Sequence, residues 1–331
     1  MDNRALIDWI SFSLPMAFEA KVDRYGNYTT NDEYVQQILD DISNSTGIDL
    51  PFVNLSIKGG KFYKQQISMY ADNGRRLCSI AIDPTTKFNR DTTSVTIPGY
   101  ALSADNHDHP FDPFTIIKQV RDYDGHLTRL DLALDNFDRP DLMQNVVNNS
   151  RPDVWSDRII SPLRFEVPIN INGTSVTYGQ KGFGKNSICI YDKARKQEID
   201  GTWTRAEFRS QNRELLAQIA DDLISGKPLQ ELTSQLLAKY LSFRSPGLKT
   251  KYKRPVSAWW DEFLQLATAY VVSRHTGAKT DDEDRKVTYS QIDRLKVQIR
   301  TLAKSNPDAA RAMLIEAAAE LGLNLQPDNG P

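Results

Sequence analysis

The sequence predicts an α+β protein, with strands through its first 210 or so residues and helices through the last 120 or so. Two observations carry this. Alternating apolar and polar runs, punctuated by Gly and Pro, recur between residues 7 and 209, and a 3.6-residue periodicity takes over from residue 213. Composition agrees: of 331 residues, 40% are hydrophobic and 25% charged, which excludes collagen-like, low-complexity and wholly disordered chains. The 41 Lys and Arg nearly cancel the 43 Asp and Glu, so a polyanion would have to be held by a local basic patch rather than by the net field. The apolar segment after Met1-Asp2-Asn3-Arg4 is broken by Asp8 and Ser11, unlike a signal peptide, and no window reaches the ~18 apolar residues of a membrane span. Cys78 and Cys189 read as reduced, packed thiols. A cytoplasmic protein with no membrane partner is expected.

Taken in order, a strand over 7–14 precedes a helix opened by the capping box Thr30 and Glu33, faced by Val35, Ile38, Leu39 and Ile42, and stopped by Gly47. Strands over 53–57, 62–71 and 76–82 follow, separated by Gly59-Gly60 and by the hairpin signal Asn73-Gly74. Asp112-Pro113 caps a helix containing Phe114, Ile117 and Val120, and Asp138 with Pro140 starts a shorter one containing Leu142 and Val146. Strands over 127–136, 175–179, 187–193 and 202–209 lead to helices over 213–225, ended by Gly226, and 228–241. After a basic loop over 244–255, a helix runs through Trp259, Phe263, Ala267 and Tyr270. The acidic run at 281–284 marks a linker; Ile292, Leu295, Ile299 and Leu302 then recur at heptad spacing, and a last helix runs from Asn306-Pro307 to Gly322. The expected division is residues 1–275 as one α+β domain, helical from about 212, then a linker over 276–287 and a helical hairpin over 288–325. No internal repeat of fixed period is found.

Chemistry gathers on three strands. In Thr128-Arg-Leu-Asp-Leu-Ala-Leu-Asp135, alternation sets Arg129, Asp131, Ala133 and Asp135 on one face, either the solvated side of an ordinary strand or a site whose open floor is Ala133. In Trp203-Thr-Arg-Ala-Glu-Phe-Arg209, Arg205, Glu207 and Arg209 share a face; if the two strands are neighbours, Asp131 and Glu207 can share a hard cation, Mg²⁺ or Mn²⁺. The third, Ser187-Ile-Cys-Ile-Tyr-Asp-Lys193, projects Cys189, Tyr191 and Lys193 together. A tyrosine beside a cation and near a metal that polarises the electrophile has the setting of a nucleophile; the alternative is a Tyr packed on the next strand.

Two motif matches fail on context. The run from Gly179 to Asn186 nearly spells a phosphate-binding loop, but its last position is Asn and a strand follows where a helix must begin. His107-Asp-His109 is spaced for metal in loop-like flanks, and reads as a surface loop. Arg244, Lys249, Lys251, Lys253 and Arg254, followed by Trp259-Trp260, suit a phosphate backbone or, equally, a solvated linker into a Trp-anchored helix.

Together, Ile7-Asp8-Trp9-Ile10-Ser11-Phe12, the segment from Leu127 to Asp135, Tyr178-Gly179, Ile190-Tyr-Asp-Lys193 and Trp203-Thr-Arg-Ala-Glu-Phe-Arg209 resemble the replication initiation factor family over residues 5–265. That family comprises rolling-circle plasmid and filamentous phage initiators and relaxases of some integrative conjugative elements. The resemblance implies an antiparallel-sheet nicking domain followed by helices. It implies a metal-dependent strand transferase that nicks origin DNA, single-stranded or in an extruded hairpin, through a tyrosine and leaves a free 3′-hydroxyl. Carried over, Tyr191 matches the nucleophile, Lys193 its adjacent cation, Asp131 and Glu207 the metal-binding acids, with Asp135 a further ligand. Arg129, Arg205, Arg209 and the cations of the 244–254 loop would meet DNA. Gln180-Lys181-Gly182 departs from the family's usual Ser-Arg, and nothing beyond Ala267 is recognised. A conjugative relaxase with the same chemistry, a non-catalytic DNA-binding regulator and a hydrolytic nuclease are the alternatives. The stripes of 288–325 would serve self-association, as a homodimer, or docking of a replication helicase.

Overall fold

The structure, a computed structural model, describes residues 3–20, 32–50, 54–59, 62–85, 91–103, 110–151, 154, 169–170, 175–179, 185–248, 250 and 253–265. The chain divides into two units, Met1–Val271 and Val272–Pro331. The second lies outside the described residues, and so do the expected linker and hairpin, the His107-Asp-His109 motif, Thr30, Gln180-Lys181-Gly182, Lys249 and Lys251.

In the first unit the elements run β1 (Asn3–Leu14), α1 (Asp32–Thr46), β2 (Leu55–Gly59), β3 (Tyr63–Tyr70), β4 (Arg76–Pro84), β5 (Thr93–Pro98), α2 (Gly99–Leu102) and α3 (Pro113–Asp122). They continue with β6 (His126–Asn136), α4 (Leu142–Asn149), β7 (Ile169–Asn170), β8 (Ser175–Gly179), β9 (Asn186–Asp192), α5 (Lys193–Lys196), β10 (Thr204–Ser210), α6 (Arg213–Ile224), α7 (Leu229–Tyr240) and α8 (Ala258–Phe263). The strands form one 10-stranded sheet in the order β2-β3-β4-β5-β1-β6-β10-β9-β8-β7. Its pairings are antiparallel. The two long strands β1 and β6 pair at the centre. From each, the chain passes through a helix to an outer edge and returns as a four-strand meander to that strand's free flank. The same order of elements therefore occurs twice, although the sequence carries no repeat.

Local chemistry sets the boundaries. Asp112 caps α3 by accepting from the backbone N–H of Phe114 and Thr115 at 3.3 and 3.1 Å, with Pro113 opening the first turn. Gly47 and Gly226 end their helices at φ of 66° and 88°. The helix expected from Asp138 starts instead at Leu142: the Asn136 side chain donates to Asp138 at 2.8 Å and accepts from the Arg139 N–H at 3.0 Å, which holds the intervening residues in a turn. Strand β9 stops at Asp192 because that side chain caps α5, accepting from Arg195 N–H at 2.9 Å, so Lys193 lies on a helical turn rather than in the strand. The strand β5 was not anticipated; its apolar Val95 and Ile97 alternate with Ser94 and Thr96 over only six residues.

One face of the sheet is apolar. Ile10, Phe12, Leu130, Leu132, Leu134, Ile188, Ile190 and Phe208 are all fully buried there, and α3, α6 and α7 pack against the central strands. Phe208 meets Tyr240 of α7 with ring centroids 5.1 Å apart. Trp260 is 1% exposed, stacks with Phe243 and Phe263 at 5.0 and 5.2 Å, and donates to the Leu241 carbonyl at 3.2 Å. Trp260 therefore anchors α8 in the core, while the half-buried Trp259 packs on Phe243 with ring centroids 4.8 Å apart. Among the described residues no helix is long and apolar enough to cross a membrane. Phe208→Ala would leave a cavity under the two catalytic-candidate strands, and urea unfolding is expected to show a loss of about 3–5 kcal/mol; a loss below about 1 kcal/mol would mean the helical layer collapses into the space.

Candidate active site

The opposite face of β1, β6, β10 and β9 is charged, and its residues fall into rows across the strands. Arg4, Asp135, Arg205 and Tyr191 are successive cross-strand partners, Leu6, Ala133, Glu207 and Cys189 form the next row, and Trp9, Asp131, Arg209 and Ser187 the third. A bulge adds one more acid. Register jumps from Ile7 opposite Leu132 to Trp9 opposite Asp131, leaving Asp8 as an extra residue that joins Trp9 on the partly exposed face while Ile7 and Ile10 stay buried.

Each acid on this face has an arginine. Asp131 accepts from Nε and Nη2 of Arg129 at 2.9 and 2.6 Å, with Arg209 3.6 Å away. Asp135, with no exposed surface, accepts from Nε and Nη2 of Arg205, both at 2.6 Å, and the third side of that guanidinium donates to Asp8 at 2.5 Å. Glu207 accepts from Arg209 on one oxygen and from the Tyr191 hydroxyl on the other. Such two-pronged contacts suit the planar guanidinium and fix its orientation.

The protonation states follow from this packing. Burial and the Glu207 charge push the Tyr191 phenol far up, so it rests protonated and donating. Burial also raises Glu207, but Arg209, the Tyr191 hydroxyl and Arg205 together outweigh it and leave the carboxylate below its ordinary range. Asp8 is pushed up to about 6 by burial and then by Glu207, against Arg205 and Lys193. Burial raises Asp131 against the pull of Arg129. Lys193 is lowered by burial and by Arg205, in spite of Asp8, Asp135 and Glu207 nearby; its ammonium lies 5.5 Å from the centroid of the Trp203 ring. Lys196 sits over the Tyr191 ring at 4.6 Å.

Of the residues singled out in the sequence, Asp131, Glu207, Tyr191, Arg129 and Arg209 meet on this face, and Lys193 reaches it from α5. Asp135 and Arg205 are closed into one another, at 0% and 3% exposure, and lie deeper than Arg129 and Arg209. Arg244 donates to the Arg254 carbonyl at 2.9 Å and Arg254 to the Leu248 carbonyl at 2.5 Å, so both guanidiniums brace their own loop. Lys253 is exposed in that loop. Tyr178, the other tyrosine in the motifs, lies fully buried on the apolar side against the Ser150 hydroxyl at 2.5 Å. Asp8 went unassigned in the sequence; the signal for it was an acid within an otherwise apolar strand. Gly99 packs against it, since a Cβ there would come within 2.6 Å of the Asp8 carbonyl oxygen and 2.7 Å of Oδ1.

No three carboxylate, imidazole or thiolate groups converge as a ready-made metal site among the described residues. The donor chemistry nonetheless suits a hard cation. Asp131 and Glu207 carry carboxylate oxygens on adjacent strands, and Asp8 adds a third carboxylate near them, which burial and then Glu207 push up to about 6.

A family model described as replication initiation factor matches residues 125–292, more than half of the chain and all of β6 to β10. No curated protein matches the chain significantly. Among solved structures the chain is similar to a rolling circle replication initiator protein from Geobacillus stearothermophilus, with 20% identity, a TM-score of 0.58, and 81% of this chain and 99% of that chain covered. At that identity the likeness is one of fold, an antiparallel sheet with helices.

The Arg205–Asp135 pair yields a stability test. Arg205→Ala strands a buried carboxylate and is expected to cost about 3–5 kcal/mol in urea unfolding, part of which Asp135→Asn in the same chain should restore. No recovery in the double variant would mean that the loss came from packing.

Proposed function

The chain belongs to the replication initiation factor family, and we propose that it is a rolling-circle replication initiator that nicks one strand of its origin DNA with Tyr191. The observation that carries this reading is the Tyr191 hydroxyl donating to a Glu207 carboxylate that Arg209 holds in place. A phenol already bonded to its base is set for one proton transfer in line with attack.

In the proposed reaction the Tyr191 oxygen bonds to the scissile phosphorus as its proton passes to Glu207. The bond to the 3′ oxygen breaks, leaving a 5′-phosphotyrosyl link and, once that oxygen is protonated, a free 3′-hydroxyl. Lys193, a stronger acid than an ordinary lysine because burial lowers it, is the cation suited to supply that proton. The non-bridging oxygens gain negative charge, which Arg129 and Arg209, each about a quarter exposed, can meet by turning from their carboxylates. Arg205 and Asp135 keep the strands in register beneath. Asp131 and Glu207, with Asp8 as a further oxygen donor, would hold Mg²⁺ or Mn²⁺, whose charge would add to the stabilisation of the same oxygens. Because the phosphotyrosyl ester retains the energy of the broken bond, reversal reseals a strand. The proposed substrate form is single-stranded or hairpin-extruded origin DNA, since an unpaired strand can bend to bring its scissile phosphate onto the sheet face.

Tyr191→Phe is expected to lose covalent attachment to labelled origin DNA while binding it within about twofold, since only one hydrogen bond is removed. Adduct at the wild-type level in the variant would remove Tyr191 from the role, and binding without any adduct by the unaltered protein would favour a non-catalytic regulator. For the metal, cleavage should fall to background in excess chelator and return with Mn²⁺ or Mg²⁺, and Asp131→Asn should raise the cation concentration required at least tenfold. Full cleavage in chelator would eliminate the metal, and strand scission without adduct would point to a hydrolytic nuclease.

A further inference from the structure

The charged face continues past β1 onto the N-terminal half of the sheet, and its character changes there. Arg129 is the cross-strand partner of Ser11, and the same row runs on through Thr96, Ser79, Ser68 and Ser56, one hydroxyl on each of five successive strands. Ser11 bonds to Thr96 at 3.0 Å and Ser68 to Ser79 at 2.9 Å. Beside this flat row lie two aromatic rings, each under a guanidinium. Arg129 and Arg76 stand 4.4 and 5.7 Å from the centroid of the Trp9 ring, whose N–H donates to Ser11 at 2.8 Å, and Arg75 stands 5.2 Å from the Tyr100 ring. Trp9 and Tyr100 are half-buried and Arg75 is exposed. Neither Arg75 nor Arg76 has a carboxylate partner among the described residues.

We propose that this half of the face is the track for single-stranded DNA leading into the site, with Trp9 and Tyr100 as stacking platforms for unpaired bases and Arg75 and Arg76 as phosphate contacts. The inference rests on the nicking function proposed above for the substrate's being DNA, and goes beyond it in placing the flanking strand. A guanidinium resting on a ring holds in one place the two groups that a single strand needs apart. When a phosphate draws the cation away, the ring is left bare for a base, so both halves of each pair find a partner in the same nucleotide. Only unpaired bases present their faces to such rings, which selects single strand over duplex. The hydroxyl row is itself largely covered, Ser11, Ser68 and Ser79 being buried and bonded to their neighbours, so the strand's contacts fall on the half-buried rings and the guanidiniums beside it. The first half repeats the element order of the half that bears Tyr191 and Glu207, with Ser and Thr on β5 and β4 where the other carries the acid and the phenol on β10 and β9.

The test is fluorescence anisotropy of the full-length chain with labelled dT12 and with a 12-base-pair duplex. The wild type is expected to bind dT12 more tightly than the duplex. Trp9→Ala should weaken dT12 binding about tenfold or more, and Trp9→Phe, which keeps a platform, should restore most of it. Arg75→Gln with Arg76→Gln, at an exposed and a half-buried position, should weaken dT12 binding and reduce the slope of log affinity against log salt by about 1.4, or ~0.7 per phosphate contact on a single strand, with an unchanged urea midpoint showing that the fold is intact. Equal dT12 affinity in the Trp9→Ala and double-arginine variants would overturn the track, as would a wild type that prefers the duplex. Tyr191→Phe is the control that separates the two readings: if the unaltered protein forms no adduct yet dT12 binding depends on Trp9 and the arginines, the nicking function fails and the track stands. If the adduct forms but binding ignores these residues, the track fails alone.

Discussion

Charge on a half-buried sheet face must be neutralised across strands, and in this protein that constraint governs the entire site. Asp131, Asp135 and Glu207 lie within strands whose other side is core, at 2%, 0% and 2% exposure. A carboxylate so placed persists only with a partner, and each has a guanidinium from its own or the neighbouring strand. The pairing does two things. It specifies the register of β6 against β10, because a slip by one residue would carry Arg205 away from Asp135 and onto the apolar face. It also stores cations beside the place where phosphate charge would develop, so that the groups needed by the substrate stabilise the fold until it arrives.

The two halves of the sheet show how the same topology can be put to different uses. Each half is a long central strand followed by a meander returning from the edge. In the second half the open face carries Tyr191, Glu207, Arg205 and Arg209; in the first it carries Ser68, Ser79, Ser94 and Thr96. The apolar face is alike in both, Ile80, Val95 and Ile97 against Ile188, Ile190 and Phe208, because both must bury one side under helices. Selection for packing thus acts on one side of the sheet while chemistry varies on the other.

This division explains what could be read from the sequence. Period-2 alternation is a property of the strand itself, so the common face of Arg129, Asp131 and Asp135, and that of Arg205, Glu207 and Arg209, were legible before any strand was placed. The adjacency of β6, β10 and β9 was not, since it depends on a meander returning across the sheet. Breaks in alternation were hidden as well. Asp8 reaches the face only through a bulge, and Lys193 only because Asp192 caps a helical turn one residue earlier than the strand pattern suggests. That Asp135 and Arg205 are each other's partners was hidden too, because a sequence lists charged groups without saying which are paired. The tryptophans at 259 and 260 left two readings open for a related reason: a large ring beside basic residues carries no mark of whether it faces solvent or core, and the structure places Trp260 in the core.

The resting site is locked. Tyr191 is buried and protonated, its proton directed at a carboxylate that Arg209 keeps ionised, and the guanidiniums best placed for a phosphate are on Asp131 and Glu207. Burial and the Glu207 charge keep the phenol neutral and donating. The lock is nevertheless balanced rather than rigid. Arg209 is the largest charge holding Glu207 down, so drawing it away would make that carboxylate a stronger base. In the nicking reaction proposed above, a phosphodiester that took Arg209 would raise the base and gain a counter-charge in one movement, and deprotonation of Tyr191 would then depend on the exchange of arginine partners rather than on the tyrosine alone.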